Sequence, residues 1–100
     1  MIDPRQQAIF EHYGLDHQLG KLVEEARELI EAAEAYRETK SPAAWPHLLE
    51  EFADVLNVGD QLVSHMGFWW LVEKIRDEKI ERQLKRMAEE EACKENDGFR

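Results

Sequence analysis

The chain has few of the residues that cross-link small proteins or build tight turns. It contains one cysteine, five glycines and three prolines in 100 residues. The lone Cys93 cannot form an internal disulfide and has no CxxC partner for zinc, which favours a reducing, cytoplasmic setting. With 43% hydrophobic and 35% charged residues, the composition is typical of a protein built from long helices.

The sequence also lacks an excess of positive charge and long apolar segments. Its 22 acidic residues outnumber 13 Lys and Arg, for a net charge of -9, so we expect no binding to a nucleic-acid polymer through phosphate neutralisation. The longest apolar cluster, FWWLV, is far too short to cross a bilayer, and the N-terminus does not resemble a secretory signal. No glycine-rich phosphate loop is present. These absences predict a soluble, cytoplasmic protein without a membrane partner.

Apolar residues recur at helical spacing along most of the chain, and no segment of useful length alternates as a strand does. Asp3 before Pro4 signals the start of a short helix that Gly14 ends. A second helix, capped by Asp16, should run to about Arg37.

Two further helices are predicted after a break around ETKSPAAWP. Pro46 either begins the first of them or lies in a helix that begins earlier, and Gly67 is a suitable end. The last helix should cover about residues 69–92, with a bend or a change of buried face where its apolar spacing skips. These elements predict an all-α fold with one domain over residues 1–92 and a polar tail over residues 93–100. Because so short a chain buries a small core, we expect an antiparallel helical bundle completed by oligomerisation.

Two nine-residue segments, LVEEARELI and LLEEFADVL, repeat one pattern of apolar and acidic residues. In each, two adjacent glutamates are followed three positions later by another carboxylate. A helical residue advances by about 100°, so Glu25 and Glu28 share one side of their helix. Glu51 and Asp54 fall at the corresponding angles of the next long helix. The two segments therefore share the angular position of their carboxylates around the helix as well as their composition.

If the two helices pack as an antiparallel hairpin, these four carboxylates converge. Grouped negative charges repel each other unless a cation compensates them. Ligands that are all oxygen favour Mg²⁺ or Mn²⁺ over zinc or copper. One acidic pattern on an amphipathic helix is usually only a solvated face. The second copy at the same helical phase is the reason to expect a metal site. Asp54 supports it, because aspartate is a poorer helix former than glutamate and its place in mid-helix suggests a reason other than helix propensity.

The acidic residues form EExxE and, after 22 intervening residues, ExxD. This pattern resembles the signature of the MazG-like all-α nucleoside triphosphate pyrophosphohydrolases. That superfamily includes the all-α dUTPases and the phosphoribosyl-ATP pyrophosphatases. The resemblance covers roughly residues 14–86 and implies hydrolysis between the α and β phosphates, with Mg²⁺, to a monophosphate and pyrophosphate. It implies these site residues: metal ligands Glu25, Glu28, Glu51 and Asp54; catalytic or water-orienting Glu24; phosphate-binding Lys79 and Arg82; and substrate-binding Gln18, Lys21 and Trp69.

The last predicted helix has a local excess of positive charge, with six basic and three acidic residues between positions 74 and 86. Lys79 and Arg82 share a face and match family positions that approach the phosphates. An ordinary helix with Glu–Lys pairs is the alternative for each of them. Trp69 and Trp70 could stack on a base, or pack within a helix or subunit contact.

The favoured interpretation is therefore an Mg²⁺-dependent nucleotide pyrophosphohydrolase whose partner is a nucleoside triphosphate, ordinary or modified. A related all-α dUTPase or phosphoribosyl-ATP pyrophosphatase is one alternative. A non-catalytic oligomeric helical adaptor, or a structural bundle that keeps the fold, is another. Since the chain is short for the superfamily, the resemblance implies a homodimer or homotetramer with a site that can borrow residues across an interface.

Overall fold

The computed structural model describes the backbone of residues 2–98 and the side chains of residues 2–95. This part of the chain forms four helices and no strand, which confirms the all-α prediction. The helices are α1 (Pro4–Tyr13), α2 (Leu15–Thr39), α3 (Ala44–Met66) and α4 (Trp69–Gly98). The chain divides into two compact units, Met1–Gly67 with α1 to α3 and Phe68–Arg100 with α4.

The ends of α1 follow the predicted signals. The side chain of Asp3 accepts a hydrogen bond from the backbone N–H of Arg5 at 2.8 Å, and Pro4 occupies the first helical position. Gly14 ends the helix at φ 85°, a value that favours glycine. Gly14 also serves as the N-cap of α2, so the predicted cap at Asp16 is wrong. Asp16 lies instead in the first turn, where its negative charge suits the helix dipole.

The connection between α2 and α3 is shorter than the sequence suggested, because it comprises only residues 40–43. Pro46 lies in the first turn of α3, where its missing N–H would have no helical acceptor. The helix thus begins before Pro46, which settles the alternative that the sequence left open. Gly67, at φ 73°, ends α3 as predicted.

Helices α2 and α3 pack against each other as an antiparallel hairpin. Gln18, early in α2, donates a hydrogen bond to Gln61, late in α3, at 2.8 Å. At the opposite end, next to the connection, the rings of Tyr36 and Trp45 lie 5.2 Å apart. Helix α1 packs against the pair through Phe10, which joins a small core on α3.

The buried side of α2 differs from the apolar stripe that periodicity picks out. Its buried residues, Gln18, Glu25 and Ala32, are seven positions apart, and two of the three are polar. Apolar residues of the expected stripe lie open instead: Leu19, Val23 and Ile30 are 42%, 49% and 57% exposed. Within the first unit, α3 therefore covers a polar line on α2 and leaves these apolar residues open.

Helix α4 continues to Gly98, beyond the predicted end at Ala92, and the skipped apolar position before Ile80 does not interrupt it. The predicted polar tail is thus helical over residues 93–98, while Phe99 and Arg100 lie outside the described residues. Among the described residues, no helix is both long and apolar enough to cross a membrane. The single-domain organisation over residues 1–92 stays a prediction.

Candidate metal centre and adjoining cavity

The four carboxylates of the sequence repeat come together between α2 and α3. One oxygen from each of Glu25, Glu28, Glu51 and Asp54 lies within 4.8 Å of the others. The reason is geometric: the two copies have the same helical phase, and antiparallel packing relates them by an approximate two-fold axis. The predicted convergence is confirmed.

Two of these carboxylates are buried with an oxygen that has no hydrogen-bond partner. Glu25 and Glu51 are 9% and 7% exposed, and their Oε2 atoms are the buried side-chain atoms without a partner among the described residues. Buried polar atoms are nearly always hydrogen-bonded, so such orphans call for a ligand or an ion. Glu28 and Asp54 are more accessible to solvent. The cluster thus has two inner carboxylates, Glu25 and Glu51, and two outer carboxylates, Glu28 and Asp54.

The electrostatic environment of Glu25 opposes its ionisation. Burial raises the pKa of Glu25 above its ordinary value, the adjacent Glu28 raises it further, and Lys21 acts in the opposite direction. A cation among the four carboxylates would reverse this balance, because it favours the ionised form of each. The cluster is therefore unfavourable by itself and suited to a bound cation.

Each inner glutamate directs its other oxygen towards a basic side chain four residues earlier. The Nζ of Lys21 lies 3.6 Å from Glu25 Oε1, and the Nδ1 of His47 lies 3.7 Å from Glu51 Oε1. Sequence reasoning assigned no role to His47 at this site. The available signal was the repeat itself, which extends upstream: Lys21 and His47 are 26 positions apart, as are Glu25 and Glu51.

The donor set fits a small hard cation. All four donors are carboxylate oxygens, the type that Mg²⁺ and Mn²⁺ prefer. Opposite ligands of Mg²⁺, each at about 2.1 Å, are about 4.2 Å apart. A spread of up to 4.8 Å therefore requires side-chain adjustments of only a few tenths of an ångström.

A cavity of about 500 Å³ adjoins the carboxylates, within the range of pockets that hold small ligands. Its walls combine carboxylates, amides and an aromatic pair in which the rings of Tyr13 and His17 stack at 4.4 Å. All its lining residues belong to the first compact unit. A smaller cavity of about 350 Å³ shares Ile9, Asn57 and Gln61 with it, so the two adjoin along α3.

Three further residues that the resemblance implies also lie at this cavity. Gln18, Lys21 and Glu24 line it together with Glu25 and Asp54. Gln18 is only 3% exposed, and both ends of its amide are hydrogen-bonded to other side chains. Four further polar or aromatic residues line the cavity: Tyr13, His17, Asn57 and Gln61. Sequence reasoning did not identify them, because their proximity depends on the register of the helices.

The remaining predicted residues, Trp69, Lys79 and Arg82, lie on α4 in the second compact unit. On this helix, Lys74 and Arg76 form ion pairs with nearby glutamates. Lys79 and Arg82 take part in no ion pair within 4.0 Å among the described side chains. Their contribution to a phosphate site stays a prediction.

No protein-family model, curated protein or solved structure matches this chain. The likeness to the MazG-like enzymes is thus a resemblance carried by the acidic signature and its neighbours. The functional argument rests on the geometry of the carboxylates and of the cavity beside them.

Proposed function

We propose that the protein is an Mg²⁺-dependent nucleoside triphosphate pyrophosphohydrolase that cleaves between the α and β phosphates. The observation that carries this proposal is the group of four carboxylates, two with buried unpartnered oxygens, beside a cavity large enough for a nucleotide. The acidic signature, which resembles that of the MazG-like enzymes, supports the same reaction.

The roles of the acidic residues follow from their burial. Glu25 and Glu51 are the inner ligands, held in place by packing and by Lys21 and His47, and Glu28 with Asp54 completes the donor set. When bound, Mg²⁺, or Mn²⁺ in its place, supplies positive charge that phosphate oxygens bind and that offsets charge developing in the transition state.

Glu24 is the candidate base. It lines the cavity, and Lys21 Nζ donates a hydrogen bond to its Oε2 at 3.3 Å, which leaves the other oxygen to orient a water molecule. As the water oxygen bonds to phosphorus, its proton passes to the carboxylate and the bridging oxygen leaves with pyrophosphate. Lys79 and Arg82 on α4 are the phosphate-binding residues that the resemblance implies.

Oligomerisation is part of the proposal, because the first unit leaves a broad apolar surface uncovered. On α3, Phe52 and Leu56 are 48% and 62% exposed, and on α2, Val23 and Ile30 are similarly open. Large exposed apolar surfaces favour protein contacts. A homodimer or homotetramer would bury them. The same observation favours the second candidate function, a non-catalytic oligomeric adaptor.

Pyrophosphate release separates the two functions. The purified protein is incubated with a panel of ribo- and deoxyribonucleoside triphosphates and MgCl₂, and pyrophosphate and monophosphate are quantified. We expect both products from at least one triphosphate, and their loss in Glu51→Gln. The matched control is Glu50→Gln, which changes a neighbouring, 77% exposed side chain and should retain activity. Full activity in Glu51→Gln would contradict the ligand assignment, and no product from any triphosphate would favour the adaptor.

A further inference from the structure

Three polar side chains form a hydrogen-bonded chain that leads into the cavity. His17 Nδ1 lies 2.8 Å from Gln18 Oε1, and Gln18 Nε2 donates to Gln61 Oε1 at 2.8 Å. Gln18 and Gln61 are each 3% exposed. Tyr13 stacks on His17 and so restricts the orientation of its ring. These buried amides cannot turn independently, because turning Gln18 breaks both of its hydrogen bonds and turning Gln61 brings its Nε2 against the Nε2 of Gln18.

The direction of this chain determines what the cavity presents to a ligand. In the tautomer of His17 that carries its proton on Nδ1, Gln18 Oε1 accepts from this group and Gln18 Nε2 donates to Gln61 Oε1. The two hydrogens on Gln61 Nε2 then remain. That nitrogen has no hydrogen-bond partner among the described side chains, and it is not one of their buried unpartnered atoms. Because Gln61 lines both cavities, its Nε2 is the donor that remains for a ligand there.

Asn57 presents a second donor of the same kind. It precedes Gln61 by one helical turn on the same face of α3 and also lines both cavities. Its Oδ1 accepts a hydrogen bond from Gln6 Nε2 at 3.2 Å, which leaves Nδ2 as the group for a ligand. Two amide N–H donors thus lie close together on one wall, on the helix that supplies Glu51 and Asp54.

We propose that Asn57 and Gln61 determine base specificity and select nucleotides whose base carries a ring carbonyl in place of an exocyclic amino group. A carbonyl oxygen of the base accepts a hydrogen bond from either amide N–H group. An amino group of the base is itself a donor, so neither it nor the amide N–H group that it faces would have an acceptor. His17 and Gln18 act as positioning residues, because they hold Gln61 in the donating orientation. The proposal rests on the proposed function only in taking the ligand to be a nucleotide.

Binding of matched nucleotide pairs tests this selection. Non-hydrolysable α,β-methylene triphosphates of inosine and adenosine, and of uridine and cytidine, are titrated into the protein with MgCl₂ by calorimetry. Within each pair the bases differ by an oxo or amino group at one position and by the proton that the adjacent ring nitrogen carries in the oxo member. We expect the oxo member to bind more tightly by a factor on the order of ten. Equal affinities, or tighter binding of the amino members, would overturn the proposal.

Two variants reverse the donor without changing its shape. Gln61→Glu keeps an oxygen that accepts from Gln18 Nε2 and replaces the N–H donor at the cavity by a second oxygen acceptor. Asn57→Asp likewise keeps the oxygen that accepts from Gln6 and replaces the donor by an acceptor. Asn57 is exposed, so this second change should not prevent folding. Each should lower the oxo-to-amino affinity ratio at least severalfold. Gln7→Glu, which adds the same charge elsewhere on the unit, should leave the ratio unchanged. An unchanged ratio in both cavity variants would refute the assignment.

The result is separable from that of the hydrolysis assay. Pyrophosphate release without discrimination between oxo and amino bases would support the reaction and overturn the base selection. Discrimination in binding without release of pyrophosphate would support the base selection and contradict the reaction. Absence of nucleotide binding would contradict both.

Discussion

Replacing Glu25 by glutamine should stabilise the metal-free protein, although it alters a buried residue. Glu25 lies within 4.8 Å of three other carboxylates, and burial together with Glu28 already raises its pKa. Glutamine has nearly the same shape and no charge, so the variant removes the repulsion and keeps the packing. A carboxylate that only served the fold would show the opposite effect.

The magnitude follows from Coulomb's law. Two unit charges 4.8 Å apart repel by about 0.9 kcal/mol at the dielectric constant of water, so three pairs amount to about 2.6 kcal/mol. Salt at 0.15 M, with a Debye length of about 8 Å, reduces this to roughly half. Losing the contact with Lys21 offsets a few tenths of a kcal/mol. We expect a net gain of about 1 kcal/mol, or a rise in Tm of roughly 4 to 8 °C.

Thermal and urea unfolding in EDTA at pH 7.5 measure this gain, and the same experiments with MgCl₂ measure the response to metal. At free Mg²⁺ one hundred times its Kd, the wild-type protein should gain about 2.7 kcal/mol, whereas Glu25→Gln should gain far less. Glu50→Gln, outside the cluster, should follow the wild type in both conditions. A loss of more than about 1 kcal/mol in metal-free Glu25→Gln, or an undiminished response to Mg²⁺, would refute the reasoning.

Three further results are expected. The raised pKa of Glu25 lets the native state hold a proton that the unfolded state releases. The stability that this proton contributes to the metal-free protein is complete below the ordinary pKa of 4.5 and is lost as pH rises through the raised pKa. Urea unfolding across pH 4 to 8 in EDTA should show this fall, and Glu25→Gln should lack it. Lys21→Met should change the free energy of unfolding by less than about 0.5 kcal/mol yet lower kcat/KM by roughly tenfold; unchanged kinetics would remove Lys21 from the site. Sedimentation velocity should find a species larger than the 11.8 kDa chain, which Val23→Lys dissociates; a monomeric wild type would contradict the oligomer.

Local signals in the sequence were sufficient for both ends of α1 and for the end of α3. Asp3, Gly14 and Gly67 act through their own backbone and nearest neighbours, so their roles do not depend on tertiary structure. The convergence of the carboxylates needed one tertiary assumption, an antiparallel hairpin. Equal helical phase in the two copies then placed Glu25 and Glu51 on facing surfaces.

Burial and long-range pairing could not be predicted in the same way. Periodicity shows which side of a helix is apolar, but not which neighbour covers it. It therefore could not show that Val23 is exposed, or that the line through Gln18 and Glu25 is buried. The Gln18–Gln61 hydrogen bond depends on hairpin register. That register depends on a connection of four residues, 40–43, which the sequence represented as a longer break.

Calorimetric titration of Mn²⁺ into the apo protein decides whether the four carboxylates form a metal centre. We expect saturable binding by the wild type and by Glu50→Gln, and loss of that binding in Glu51→Gln and Asp54→Asn, with all four proteins folded by circular dichroism. Absence of Mn²⁺ binding by the wild type, or undiminished binding by Glu51→Gln, would contradict the centre.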